Sequence, residues 1–274
     1  MLGALVCAVL FLVGYLILVS TPWGHQFDDD AFLGRKALSR KIIRMDFDIL
    51  GHINKAALLL SAVLLLGIAI ARRCTFIGVI AVTGFGSAVV GAEVLKTVLP
   101  WRALAPKDAL LESGFDTNTY PSGHATIGTS LVLGLLLVSS SRWRPWFAVA
   151  GGYISSIFTT GVLFVGWHRP SDALGALAWS GLCTSIAAAF AIRLRGQPRP
   201  AIPRPTPTVS ASVVLGIFVT TAIWLITRTA ATEYESIDLP FFELTGLIVA
   251  SAFSLVGWYG WQLRAVDWTA GNAE

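Results

Sequence analysis

Eight stretches of this chain are predominantly apolar over 16 to 23 positions, and that recurrence restricts the possible folds more than any other feature. They fall at 2–20, 56–71, 75–95, 122–140, 146–165, 172–192, 209–227 and 241–263. About 20 apolar residues in an α-helix cross the roughly 30 Å of hydrocarbon in a bilayer, and a helix satisfies its own backbone groups there. Charged residues make up 13% of the 274 positions, about half the soluble-protein norm of roughly 25%, which excludes an ordinary water-soluble enzyme. The expectation is an all-α fold, a polytopic membrane helical bundle. The first run has no basic segment before it and no small-residue cleavage site after it, so it reads as a span and not as a secretory signal. Cys7, Cys74 and Cys183 all lie in or beside apolar runs and are expected to be packed thiols without a disulfide.

Between the sixth and seventh runs lies "RLRGQPRPAIPRPTP", where proline forbids a continuous helix. This divides the chain into a six-span core at 1–195, a Pro/Arg-rich linker at 196–208, and two additional spans with a short tail at 209–274. Basic residues set the orientation. One set of loops carries Arg72, Arg73, Arg142, Arg144, Arg193, Arg195, Arg199, Arg204 and Arg264 against only Asp267 and Glu274. That face is expected to be cytoplasmic, with both termini inside. The loops at 21–55, 96–121, 166–171 and 228–240 then face outward, and all four histidines lie on that side, His25, His52 and His168 in the loops and His124 at the start of the fourth run. Ten tryptophans, among them Trp23, Trp101, Trp143, Trp146, Trp167, Trp258 and Trp261, sit near span ends and read as interface anchors.

In the loop after the first span, Phe32, Leu33, Leu38, Ile42, Ile43, Phe47 and Leu50 recur among Arg35, Lys36, Arg40, Lys41 and Arg44. The spacing predicts an amphipathic helix near 30–52. It would lie in the headgroup layer against anionic lipid or pack on the protein as a connector.

Three outward helix ends carry chemistry. Lys96 ends the third span and Arg102 follows in "KTVLPWRA"; "TYPSGHAT" opens the fourth; "GWHRPSD" opens the sixth. Pro121 and Ser122 start a helix, which leaves the amides of Gly123 and His124 free to meet an anion at the positive end of the dipole. Pro170 suits the first turn of the next helix, so Asp172 can reach back to His168. A carboxylate on one imidazole nitrogen fixes the tautomer and leaves the other lone pair nucleophilic. His168 would attack phosphorus, His124 would protonate the leaving oxygen, and Lys96 and Arg102 would neutralise the equatorial oxygens. The scheme uses no metal and no other cofactor.

These residues resemble the type-2 phosphatidic acid phosphatase superfamily, the integral membrane lipid phosphate phosphatases. That family reads Lys-x6-Arg-Pro, then Pro-Ser-Gly-His, then Ser-Arg-x5-His-x3-Asp, on a six-helix core that corresponds here to about residues 1–195. The resemblance implies a phosphohistidine on His168, an acid role for His124, and phosphate contacts from Lys96, Arg102, Ser122 and Gly123. The chain departs from the pattern in two places. Five residues separate Lys96 from Arg102 and Ala103 replaces the proline, which on an unbroken helix puts the two cations about 120° apart. Val162 stands where the family has its second arginine. A charge-assisted hydrogen bond contributes roughly 1.5–3 kcal/mol, so an uncompensated loss should cost about one to two powers of ten in rate. Arg169, beside the nucleophile, is the candidate replacement.

The expected activity is hydrolysis of a lipid phosphate or diphosphate headgroup at the outer face of the cytoplasmic membrane. Suitable substrates are a polyprenyl diphosphate, a polyprenyl-phosphate sugar, phosphatidic acid or phosphatidylglycerol phosphate. The alternatives are phosphotransfer to an alcohol, or a non-catalytic protein that binds or moves lipid phosphates. Membrane lipids are the expected partners, with no nucleic acid; the last two spans are a docking surface for a protein or a simple extension.

Overall fold

The computed structural model describes residues 1–38, 40–100, 117–195 and 239–268. Helix α1 (Leu2–Gly14) continues through a π-helical turn to Val19. Then come α2 (Pro22–Leu33), α3 (Arg40–Gly51), α4 (Lys55–Ala71), α5 (Thr75–Val98), α6 (Gly123–Val138), α7 (Arg144–Phe164), α8 (Pro170–Arg195) and α9 (Leu239–Gln262). Among the described residues there is no strand.

Five helical stretches are long and apolar enough to cross a membrane: Leu2–Val19, Thr75–Val98, Arg144–Phe164, Pro170–Leu194 and Pro240–Gln262. A sixth arises if α3 and α4, bent by 68° at their break, count as one span. Helix α6 is apolar but has 16 residues, about 24 Å of helix. The run at 209–227 and the linker at 196–208 lie outside the described residues. Leucines left open on helix exteriors, such as Leu59 (67% exposed) and Leu60 (68%), form the apolar outer surface that lipid tolerates and water does not.

Inside the bundle, close approach rests on small residues, as expected where lipid supplies no hydrophobic drive between helices. A Cβ at Gly181 of α8 would stand 2.7 Å from the Cys7 sulfur of α1, and one at Gly152 of α7 would stand 2.4 Å from the Phe253 ring of α9. The three cysteines are separate free thiols. Helix α9 is part of this packing, since its Tyr259 hydroxyl also donates to the Thr184 carbonyl of α8 at 3.3 Å. Helix α9, beyond the linker, therefore packs within the bundle.

The expected single helix at 30–52 is two helices. Gly34 ends α2 and the chain turns through a 3-10 segment to Ala37 before α3 begins at Arg40. Helix α3 keeps the amphipathic character: Arg40, Lys41, Arg44, Met45, Phe47 and Ile49 are exposed while Asp46 and Leu50 are buried. Helix α2 does not, because Phe32, Asp28, Asp29 and His25 are all buried under neighbouring helices.

The two ends of the bundle differ in chemistry. At one end buried Arg144 donates to the carbonyls of Leu136, Ser139, Leu263 and Val266, and Arg72 pairs with Asp267 at 3.3 Å. Cations on the C-terminal carbonyls of helices complement the helix dipoles. At the opposite end the C-terminus of α5, the N-termini of α6 and α8, and α2 converge on the histidine-bearing segments.

Candidate active site

Two short segments that open α6 and α8 are tied to one another. Ser122 caps α6, its hydroxyl accepting from the amide of Ala125 at 3.4 Å. Its own amide donates across to the Asp172 carbonyl at 3.0 Å. The Thr119 hydroxyl donates to Asp172 Oδ2 at 2.6 Å, and the Arg169 amide reaches the same oxygen at 3.0 Å. His168 Nδ1 lies 3.1 Å from that oxygen, four residues back on the chain. A carboxylate there holds the proton on Nδ1 and leaves Nε2 with a lone pair.

The loop that delivers His168 is set by the end of α7. Gly166 has φ +80°, a conformation that strains side-chain-bearing residues, and it closes a Schellman turn. The Gly166 amide bonds the Leu163 carbonyl, and the amides of Trp167 and His168 both bond the Val162 carbonyl at 3.0 and 3.2 Å. Trp167 is therefore no simple interface anchor. Its ring stands 5.1 Å from the His124 ring and 5.5 Å from Phe47 of α3. His124, half-buried on the first turn of α6, lies in the electrostatic neighbourhood of His168 and Lys96.

Lys96 reaches this place from α5, with Nζ 2.7 Å from the Glu93 carboxylate. The pair lies directly on Gly123: a Cβ there would stand 2.5 Å from Glu93 Oε1 and 3.4 Å from Lys96 Nζ. Of the expected site residues, His168, Asp172, His124, Ser122, Gly123 and Lys96 therefore gather at one end of the bundle. Arg102 lies outside the described residues.

Arg169 is placed differently from the expectation. It is buried, and its Nε donates to Asp29 Oδ1 of α2, which ties that edge of the guanidinium to the back of the loop. The reason is a buried carboxylate on α2 that the sequence pattern assigned to an interfacial loop. Val162 is fully buried in an apolar cluster with Phe32, Leu50, Ala125 and Phe241. Stacked on Phe32 at 3.7 Å is Arg35, whose side chain also packs against Gly166, where a Cβ would come within 2.7 Å of its Nε.

Sequence reasoning thus missed Asp28, Asp29, His25, Arg35, Glu93 and Thr119. Thr119 stands one residue before "YPSGH", Arg35 was read as a headgroup cation and His25 as an outward loop histidine, none with a site role. Burial holds the His25 imidazole below its ordinary pKa, with Arg169 acting in the same direction. Burial first, then the Asp172 charge, push the Asp28 carboxyl up to about 7. No protein-family model, curated protein or solved structure matches this chain.

Proposed function

We propose that this chain is an integral membrane lipid phosphate phosphatase working through a phosphohistidine. The observation that carries the reading is the Asp172 side chain. One carboxylate oxygen receives both the nucleophile candidate His168 and Thr119 of the segment that opens α6, so both halves of a phosphate cradle are fixed to each other. In this reading His168 Nε2 attacks phosphorus while the bond to the ester or diphosphate oxygen breaks. His124 gives its proton to that oxygen. Water then attacks the phosphohistidine with His124 as base, releasing phosphate and restoring His168. The amides at Gly123 and His124, the Ser122 hydroxyl and Lys96 stabilise the equatorial oxygens. Arg102 completes the set. The substrates are those that suit a site at a helix-bundle end in the headgroup layer: polyprenyl diphosphate, polyprenyl-phosphate sugar, phosphatidic acid or phosphatidylglycerol phosphate. The excess of arginine at the other end supports an orientation with the site on the extracytoplasmic face of the cytoplasmic membrane and both termini inside.

Phosphate release from these lipids in detergent tests the proposal. Wild type should release phosphate from at least one, and His168→Ala and His124→Ala should lower release by about 10² or more. Equal release by wild type and both variants would overturn it. One observation favours a second reading. The Glu93 carboxylate already sits over Gly123 and on Lys96, where substrate phosphate would go. A protein that binds or moves lipid phosphates without cleaving them would show saturable binding and no release, whereas a phosphotransferase would label an added alcohol in preference to water.

A further inference from the structure

Residues 168 to 172 divide their side chains between two partners. His168 and Asp172 face each other and the start of α6, whereas Arg169 and Ser171 are held from behind by α2. Ser171 is the second residue of α8, where an amide has no intrahelical acceptor. Asp28 Oδ1 accepts that amide at 2.9 Å, and Asp28 Oδ2 accepts the Ser171 hydroxyl at 2.5 Å. A carboxylate from another helix thus caps α8. One residue on, Asp29 Oδ1 accepts from Arg169 Nε, and its Oδ2 lies 3.6 Å from His25 Nε2. Asp28 is 1% exposed, Asp29 6% and Arg169 3%.

Covering the loop does not require such residues. A buried ion pair replaced by apolar side chains of similar volume often leaves stability unchanged or improved. What a carboxylate gripping two donors supplies is direction. We infer that Asp28 and Asp29 are positioning residues that fix the Arg169–Ser171 backbone, so that the His168 imidazole and the Asp172 carboxylate meet in one geometry. The inference rests on the phosphatase reading for its chemistry and on the geometry of α2 for its residues. Neither aspartate touches substrate; each acts through the loop. A misplacement of about 1 Å at a reacting group costs on the order of a hundredfold in rate, so removing either grip should lower kcat far more than it raises KM.

The test uses the full chain in detergent micelles with phosphatidic acid and a polyprenyl diphosphate as probes. Asp28→Ala and Asp29→Ala should lower kcat by about ten- to a hundredfold with KM within about twofold. Asp28→Asn retains an acceptor for the amide and a partner for the hydroxyl of Ser171, so it should restore most of the loss. A second readout does not need turnover. The ¹⁵N shifts of His168 should report one tautomer, protonated at Nδ1, in wild type and in Asp28→Asn, and a mixture in the two alanine variants. Equal kcat in wild type and both alanine variants, or Asn no better than Ala, would overturn the positioning role. A wild type that releases no phosphate from either lipid, with the tautomer still mixed by the alanine variants, would sink the phosphatase reading and leave the positioning standing. An unchanged tautomer would sink the positioning whatever the turnover.

Discussion

A methyl group at position 123 has nowhere to go. It would stand 2.5 Å from Glu93 Oε1, well inside contact distance, and would push the Glu93–Lys96 pair off the start of α6. Gly123→Ala should therefore lower phosphate release by about tenfold or more, since it displaces the Lys96 ammonium proposed to meet phosphate by close to 1 Å. The thermal midpoint in detergent should move little, because Glu93 is exposed and can swing away. A rate equal to wild type would show that Lys96 does not work from this position. Asp28 gives a second test at this scale. Its carboxyl is raised to about 7 in the fold, against about 3.9 in an unfolded chain. The folded state therefore holds a proton that the unfolded state has lost between about pH 4 and pH 7. Stability from this group is complete below about pH 4, falls as pH rises through 7, and is flat above. Asp28→Asn should remove that slope, so unfolding midpoints of wild type and variant should converge at low pH and separate in the variant's favour above pH 7. Parallel pH profiles would show that Asp28 does not titrate in this window. Ser122, His124, His168 and Asp172 were legible because each belongs to a short contiguous motif, with Asp172 four residues from His168. Asp28, Asp29, Arg35 and Glu93 were not, because what gives them meaning is a partner on another helix, 143 residues away in the case of Asp28 and Ser171.

At the level of helices, long apolar runs were read accurately and polar ones were not. Each expected run within the described residues is a helix, since about 20 apolar positions leave the chain no other way to satisfy its backbone. The loop at 21–55 misled because apolar residues at helical spacing run through Gly34 without an obvious stop. The 3-10 segment at Gly34–Ala37 and the burial of His25, Asp28, Asp29 and Phe32 separate α2 from the surface helix α3. Arg144 is a similar case: it counts as one loop cation in a charge tally, yet it is 1% exposed and donates to four carbonyls from the end of α6 and the segment after α9. Those carbonyls sit where two helices run out of amide donors. Arg144→Met should leave them unmatched and cost more than about 3 kcal/mol, seen as a lower thermal midpoint. Arg144→Lys should not rescue it, because one ammonium lacks the planar fork that reaches several acceptors at once. Phosphate release per folded molecule should be unchanged, since the arginine lies at the end opposite the histidines. A variant as stable as wild type would remove Arg144 from the account of how α6 and α9 are joined.

For the whole molecule the question is which end faces which compartment. The polar end with α2, His124 and His168 and the end bound by Arg72 and Arg144 lie at opposite poles of the same helices, so one measurement orients everything. Retention of arginine-rich loops on the cytoplasmic side would place the histidines outside, the orientation proposed above. Trp23, 69% exposed beside the histidine end, and Trp143, 55% exposed beside Arg144, are suitable reporters. The native thiols interfere little, with Cys7 and Cys74 buried and Cys183 half-buried. In intact cells a membrane-impermeant maleimide should label Trp23→Cys and spare Trp143→Cys until the membrane is opened. The reverse pattern would put the histidines inside the cell. A phosphatase of this kind would then draw on lipid phosphates of the inner leaflet, and a carrier lipid discharged at the outer leaflet would no longer fit. The geometry of Asp172, His168 and Thr119 would stand either way, because a site built between helix ends does not depend on which compartment they face.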